Sequence, residues 1–437
     1  MQTHCTRGVA ALTHWLTPQV WKCAHQTQQP RPAAQRWNLH PLVMVAALMT
    51  WTTGDSEAER FAAARAFYVA RHQRDKRPGQ SLPGFHKALA QLPMPVLHGL
   101  FAAVRRRLLH LYERFWSSNG FVVMACDGSR LACPRSRELE KRLGCCCKAD
   151  SAPMLYVTTL VLLPAGLLWS WCVGPGTASE LVQLQQMLST LPRSTLLVGD
   201  AYYLGYDLYA NIINSKASFL MRLSSKAYLY TDQWQSMTHY CQGLVWYWPQ
   251  DAQKRGRPPL RLRLIRVRGK NGKDVWLLTS VLESERLSRQ QAGELYRWRW
   301  RSEGVFRTYK RTLPKLKLWS RTEALVYREA EVSLLALQLL LVQGVRRRAG
   351  AIVVVCGPRQ TLLRLRGDIT TTIGSRLGPR QLRRYRLRLE QIRRGGPGRK
   401  VRRKWPRRRD HKPPKPPHMR VLPAPLKAKM SNYFNAA

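Results

Sequence analysis

Apolar residues recur every three or four positions through the first 118 residues, which is the spacing of amphipathic helices. The spacing is clearest in LHPLVMVAALMTW, in FAAARAFYVARH and in VLHGLFAAVRRRLLHLYERFW. The segment DKRPGQSLPG contains turn-forming residues and divides these helices into two groups. Residues 1–118 are therefore predicted to form a helical N-terminal region.

The pattern changes after residue 118 to short apolar runs, which are typical of buried strands. FVVMAC at 121–126 leads into Asp127, and TLLVG at 195–199 leads into Asp200. Further strands are predicted for MLYVTTLVLL, LLWSWCV and SFLMRL, with helices for ELVQLQQMLSTL and YLGYDLYANIINSK among them. Residues 119–223 are thus predicted to form the first part of an α/β core.

Asp127 and Asp200 are candidate site residues because each follows a predicted buried strand. Sites in open α/β sheets form at the carboxyl ends of strands. Either aspartate alone is also explained as a cap of the following turn or helix. Because both strands end in an aspartate, we favour the interpretation that Asp127 and Asp200 belong to one functional site.

Two features of this core have alternative interpretations. Residues 151–179 contain no charged residue and are long enough to cross a membrane, but Pro164 and Gly166 favour two strands joined by a turn. The three thiols at 145–147 have no CxxC pair or nearby histidine, which favours ordinary cysteines over zinc ligands. The ten cysteines show no disulfide rhythm, so we expect a reduced, cytoplasmic protein without a membrane span.

Residues 224–285 are predicted to form a β-rich insertion, because LRLRLIRVRG alternates strictly and VWLLTSVL is another apolar run. Trp246 and Trp248, in an aromatic stretch of this insertion, are candidate DNA contacts. Arg255 and Arg257 flank the glycine of KRGRPP, the core pattern of a hook that binds the minor groove of DNA. A charged hairpin loop explains the same residues.

Helical periodicity returns at 286–347, the predicted second part of the core, and a basic region follows at 348–392. Residues 393–437 begin with RRGGPGRKVRRKWPRRRD and are rich in proline, glycine and basic residues. Such a composition cannot bury a core, so this tail is predicted to be disordered until it meets phosphate.

The net charge is extreme, since 73 lysines and arginines oppose 25 aspartates and glutamates for a formal charge of +48. Self-repulsion of this size destabilises a compact state, which predicts a polyanionic partner. Nucleic acid is the first candidate, and an anionic membrane surface is the second. Association with the nucleoid is the corresponding expectation for location.

Against this charge, the stretch YRWRWRSEGVFRTYKR at 296–311 contains Glu303 as its only acid. Three- and four-residue steps on a helix would place Glu303 on one face with Tyr296, Arg299 and Lys310. A surface helix with ion pairs one turn apart is the structural explanation of this pattern.

The functional explanation is that this helix crosses the carboxyl ends of the strands and brings Glu303 to Asp127 and Asp200. Three carboxylates at one point repel one another unless cations neutralise them. Mg²⁺ or Mn²⁺ suits such an all-oxygen site, and two ions of this kind catalyse phosphoryl transfer.

The stretch fits the spacing Y-x2-R-x3-E-x6-K without a gap. In this it resembles the DDE transposases of bacterial insertion sequences, in the group called insertion-sequence family four. DGSR, GTASE, GDAYYLGYDLY, FLMRL and LLTSVL follow in that family's order, so the resemblance spans residues 120–345. The chain departs from the family at Ala201, which follows the second aspartate where arginine is usual.

The resemblance implies a ribonuclease-H-like mixed α/β sheet flanked by helices, with the β-rich insertion before the last catalytic helix. It implies a metal-binding catalytic triad of Asp127, Asp200 and Glu303. It also implies DNA contacts at the element's end from Tyr296, Arg299 and Lys310, and Arg307 of the same basic stretch is a further candidate DNA contact. The implied activity is cut-and-paste transposition by a homodimer that pairs the element ends and joins them to target DNA.

Two other functions are consistent with these residues. A domesticated or inactive DNA-binding protein would explain the charge, but not two strand-end aspartates together with an acid inside a basic helix. A ribonuclease-H-like nuclease without strand transfer would explain the carboxylates, and a strand-joining assay separates it from a transposase.

Overall fold

The computed structural model describes residues 15–26, 37–72, 77–113, 116–144, 151–233, 235–269, 272–348, 351–354, 356–374 and 415–435. In this part of the chain, helices flank a mixed α/β sheet. The strands are β1 Ser117–Ser118, β2 Phe121–Ala132, β3 Met154–Leu162, β4 Leu167–Pro175, β5 Thr195–Gly199, β6 Ser218–Arg222, β7 Tyr228–Thr231, β8 Gln242–Tyr247, β9 Leu260–Arg268, β10 Asp274–Thr279, β11 Val345–Arg348, β12 Ala351–Val354 and β13 His418–Val421.

The α-helices precede, interrupt and follow these strands. They are α1 Pro18–Gln26, α2 Leu39–Trp51, α3 Glu57–Arg71, α4 Leu82–Ala90, α5 Met94–Tyr112, α6 Arg137–Leu143, α7 Glu180–Met187, α8 Tyr206–Asn214, α9 Gln250–Lys254, α10 Arg289–Trp298, α11 Trp300–Arg307, α12 Glu323–Gln343, α13 Pro358–Gly374 and α14 Ala424–Asn435. Short 3₁₀ turns lie at Leu188–Thr190 and Ala201–Tyr203, and a π-helical turn follows α11 at Thr308–Thr312.

The central sheet has the strand order β13-β7-β8-β9-β10-β6-β5-β2-β3-β4, with the short β1 paired to β2. β3 pairs antiparallel with β2 and with β4. On the other side of β2, β5 pairs parallel with β2, and β6 pairs parallel with β5. Strands β7 to β10 continue the same sheet from β6 by antiparallel pairing. The strands of the β-rich segment therefore widen the core sheet.

Helices cover both faces of the core sheet, as alternate side chains of β4 demonstrate. Cys172 contacts Gln186 of α7 at 3.7 Å, whereas Trp171 Nε1 donates to Glu331 of α12 at 2.6 Å. Successive strand residues point to opposite faces, so α7 and α12 lie on opposite sides. Coverage on both faces explains the uncharged sequence of β3 and β4. No helix in the described ranges is long and apolar enough to span a membrane.

The N-terminal helices pack onto this core through α12. Trp51, at the end of α2, is fully buried, and its Nε1 donates to the carbonyl oxygen of Ala336 at 3.2 Å. Arg328 Nε donates to the carbonyl oxygen of Leu92 at 2.9 Å. Because α12 touches the sheet and the N-terminal helices at once, it is buried almost all round and shows no clear polar face.

Strand β2 is longer than its apolar pattern predicts. The polar residues DGSR do not form a turn after Cys126, since Asp127 to Arg130 pair with Thr159 to Tyr156 of β3. A Cβ on Gly128 would overlap Tyr156 Oη and lie 2.7 Å from Glu180 Cδ, so glycine is needed for the strand to pass here. Asp127 therefore lies inside a strand and not at its end.

Residues 415–435 correct the prediction that the whole tail is disordered. β13 pairs in parallel with β7, and α14 follows it. Leu422 and Met430 are buried, and the ring of Tyr433 lies 6.0 Å from that of Trp248. The average composition of the tail predicts disorder, but these apolar side chains are enough for residues 415–435 to pack against the sheet. Residues 393–414 lie outside the described part of the chain.

We expect removal of residues 415–437 to speed hydrogen exchange of the β7 amides about fivefold, because a lost sheet partner removes on the order of 1 kcal/mol of protection per hydrogen bond. Exchange in β2 and β5 should be unchanged. Mass spectrometry of the full and truncated chains measures this. Arg420→Ala, which keeps the backbone pairing, is the control, and unchanged β7 protection after truncation would contradict the assignment of β13.

Candidate active site

The candidate site lies where two parallel strands separate. β2 and β5 pair only as far as Ala125 and Val198, and Asp127 and Asp200 each lie two residues beyond this last pair. Asp127 Oδ1 accepts the Gly128 N–H at 3.0 Å. Asp200 Oδ1 accepts the Tyr202 N–H at 2.8 Å and begins the turn Ala201–Tyr203. The topology thus brings the two aspartates to equivalent positions on neighbouring strands.

Asp127 is mostly shielded from water, and this affects its charge. Burial raises the pKa of Asp127 to about 6, and the nearby Glu180 carboxylate adds to the increase. A hydrogen bond from Ser302 and the charge of Arg299 act in the opposite direction. An acid this close to protonation near neutral pH would be stabilised in its charged form by a cation.

Helices α10 and α11 carry the basic stretch and lie against this fork. A capping box between Ser288 and Gln291 fixes the start of α10. In α11, Ser302 Oγ donates to Asp127 Oδ2 at 3.1 Å, and beyond it Lys310 Nζ donates to Ser129 Oγ at 2.7 Å. The helical segment is therefore bound to β2 on both sides of Gly128.

The turn between β3 and β4 provides a further attachment for α11. Arg301 Nη1 donates to the carbonyl oxygens of Leu163 and Pro164 at 2.8 and 3.0 Å. Its guanidinium also lies 4.8 Å from the centre of the Trp298 ring. Three side chains of the basic stretch thus hold it in one position over the sheet.

Glu303 pairs with an arginine, and the structure does not gather it with Asp127 and Asp200 into one metal-binding cluster. Its Oε1 lies 3.8 Å from Arg299 Nη2, and the side chain is 38% exposed. Arg299 is only 12% exposed, its guanidinium lies 5.0 Å from the Trp300 ring, and its buried Nε has no partner within the described residues. In the described ranges, no three His, Cys, Asp or Glu side chains are close enough to hold a metal ion.

Sequence reasoning missed two residues of this site, Ser302 and Glu180. Ser302 is fully buried and is the member of α11 that touches Asp127, but a lone serine in a basic helix gives no signal. Glu180 is buried at the start of α7, and its two oxygens accept the hydroxyls of Tyr156, at 2.5 Å, and of Tyr203. The signal that identifies Glu180 is that it is a buried acid whose hydrogen-bond partners are neutral. This signal is visible only in the tertiary structure.

The predicted DNA contacts of the basic stretch differ in exposure. Tyr296 and Lys310 are half-buried, whereas Arg307 is exposed. Tyr296 also borders a cavity of about 890 Å³, which is lined in addition by Arg268, Arg289, Arg297 and Trp300. The ring of Trp300 is 62% exposed. A basic, partly aromatic cleft therefore lies beside the helix that carries Glu303.

The residues predicted in the β-rich segment have structural partners. Trp248 is fully buried, and its Nε1 donates to the Arg257 carbonyl oxygen at 2.7 Å, so the prediction that its ring contacts DNA is wrong. Trp246 is half-buried with the Arg261 guanidinium 5.9 Å from its ring. Arg255 pairs with two acids, whereas the Arg257 side chain is exposed.

Comparison with known proteins identifies one family. A family model described as a transposase DDE domain matches residues 120–339, a range that contains Asp127, Asp200 and Glu303. No curated protein matches the chain. A similar solved structure is the cryo-EM structure of the piggyBac transposase synaptic complex with hairpin DNA, at 11% identity and a TM-score of 0.42. The similarity covers 88% of this chain and 85% of that chain.

We expect Arg255→Ala to leave the affinity for AT-rich duplex DNA within about twofold of the parent, because Asp207 and Asp251 already hold its guanidinium at 3.0 and 3.1 Å. Arg257→Ala is the matched comparison, and loss of its exposed charge should weaken binding to all sequences. Fluorescence anisotropy with AT-rich and GC-rich duplexes measures both. A loss confined to AT-rich DNA in Arg255→Ala would support the minor-groove hook instead.

Proposed function

This chain belongs to the transposase DDE domain family, and on that premise we propose that it moves a DNA element by metal-dependent cut-and-paste transposition. The observation that carries the proposal is the attachment of α11 to β2, through Ser302 to Asp127 and Lys310 to Ser129. The steps would be nicking at the element ends, formation and resolution of a hairpin, and strand transfer to target DNA.

The finer assignment proposed is to insertion-sequence family four, with a ribonuclease-H-like core. The gapless spacing of Tyr296, Arg299, Glu303 and Lys310 supports the group. Three antiparallel strands, β2 to β4, followed by β5 and β6 parallel beside β2, support the core.

Asp127, Asp200 and Glu303 would hold Mg²⁺ or Mn²⁺, with two ions in the working site. Their chemistry suits such ions, since all donors are carboxylate oxygens and burial raises the pKa of Asp127 to about 6, but Glu303 would have to approach the two aspartates for the three to share a metal. When bound, the ions activate a water or 3′-hydroxyl and stabilise the leaving oxygen. Arg299, 3.8 Å from Glu303, offsets part of the acidic charge when cations are absent.

DNA would be held by the basic face around this site. Lys310, Arg299 and the exposed Arg307 would contact phosphates, which position a strand without reading its sequence. The half-buried ring of Tyr296 borders the basic cleft, where a displaced base could stack. The partners proposed are the element ends and target DNA, paired by a homodimer, with the protein associated with the nucleoid.

Two experiments separate this function from its rivals. An inactive DNA-binding protein would bind end-containing DNA but would not cleave it with Mg²⁺ or Mn²⁺. A nuclease without strand transfer would cleave the DNA but would form no joined product when target DNA is present.

We expect Glu303→Gln to lower Mg²⁺-dependent end cleavage at least about 100-fold while end binding in EDTA is retained, because the amide keeps the shape but loses the charge that a metal requires. A gel that resolves nicked, hairpin and joined products, run beside a binding assay, measures both effects. The matched control is Glu294→Gln, an equal charge change on α10, which should cleave like the parent. Parental cleavage by Glu303→Gln would reduce the carboxylate to an ion-pair partner of Arg299 and end the catalytic assignment.

A further inference from the structure

Glu180 has an unusual environment for a carboxylate. It is 8% exposed, and none of the ion pairs among the described residues includes it. Both of its oxygens instead accept phenolic hydroxyls, from Tyr156 at 2.5 Å and from Tyr203. A buried acid without a cationic partner is costly, so a residue of this kind is expected to have a specific task.

The partners of Glu180 belong to the two segments that carry the aspartates. Tyr203 ends the turn that begins at Asp200, and its hydroxyl lies near enough to the thiol of Cys126, the residue before Asp127, for each group to shift the pKa of the other. On the other side, the Glu180 carboxylate packs against Gly128, where an added Cβ would lie 2.7 Å from Cδ. One carboxylate therefore contacts the strand of Asp127 and the turn of Asp200 together.

Glutamine would not reproduce this arrangement. Both phenols donate at once, and a glutamine side chain would offer one acceptor oxygen and present N–H donors to the other hydroxyl. The Tyr203 turn would then lose a charge-assisted hydrogen bond that holds it to β2. The distance between the two aspartates, which lie where the sheet no longer pairs β2 with β5, would be fixed less tightly.

We propose that Glu180 is a positioning residue that holds the Tyr203 turn against β2 and thereby sets the affinity of the Asp127–Asp200 pair for divalent cations. The inference rests on the proposed function, because it takes these aspartates as metal ligands. Glu180 itself need not touch the metal. Residues that orient metal ligands in this way typically change metal affinity by about 10- to 100-fold when they are replaced.

The test is Mn²⁺ binding to the full, DNA-free chain, measured as free Mn²⁺ by electron paramagnetic resonance. Glu180→Gln should weaken Mn²⁺ binding about tenfold or more, and Tyr203→Phe should weaken it in the same direction by a smaller factor. Glu140→Gln makes the same charge change on the exposed face of α6 and should bind like the parent. In cleavage assays, Glu180→Gln should raise the half-saturating Mn²⁺ concentration by the factor seen in binding.

Asp127→Asn makes the outcomes distinguishable. If Asp127→Asn binds Mn²⁺ like the parent, the metal site of the proposed function fails. If Asp127→Asn loses binding while Glu180→Gln keeps parental affinity, even with a lower melting temperature, Glu180 is merely structural and this inference is overturned. Should Glu180→Gln not fold, Tyr203→Phe carries the test with the same two outcomes.

Discussion

Parallel pairing between β2 and β5 stops at Ala125 and Val198, and the gap that opens there constrains the whole site. Sheet hydrogen bonds hold neighbouring strands about 4.8 Å apart, so residues just beyond the last pair begin close together. Past that point β2 keeps β3 as its partner as far as Ala132, whereas β5 ends in a tight turn. One aspartate is therefore fixed by the sheet and the other depends on side-chain contacts to hold its turn.

The charge of the chain and the charge of the site act over different distances. A net charge of +48 would attract polyanions from solution, but exposed charges are screened beyond about 8 Å at physiological salt and contribute little to a buried acid. The buried acids must therefore be stabilised by groups close to them. These groups are the hydroxyls of Ser302, Tyr156 and Tyr203 and the guanidinium of Arg299. The basic stretch thus combines exposed positive charge, which we propose binds phosphate, with buried side chains that stabilise carboxylates.

Much of the core could be predicted from the sequence, because strands buried on both faces leave short apolar runs bounded by turn-forming residues. β5 at 195–199 and the pair β3 and β4, with Gly166 in the left-handed turn between them, follow such runs directly. The extension of β2 through DGSR could not be predicted, since its polar residues have partners far away in sequence: Ser302 for Asp127, Lys310 for Ser129 and the Tyr156 ring for Arg130. Trp248 and the folded tail segment 415–435 pack against each other through Tyr433. A contact between such distant parts of the chain is not visible in any local sequence pattern.

We propose that Asp127, Asp200 and Glu303 form one metal site when DNA is bound, and anomalous scattering can locate a metal there. A crystal of the chain with an end duplex whose terminal 3′-hydroxyl is removed, soaked in Mn²⁺, would be measured near the manganese edge. We expect an anomalous peak between the carboxylates of Asp127 and Asp200, with Glu303 facing it, and two peaks about 3.5–4 Å apart at full occupancy. Manganese bound elsewhere, with Glu303 still paired only to Arg299, would contradict it.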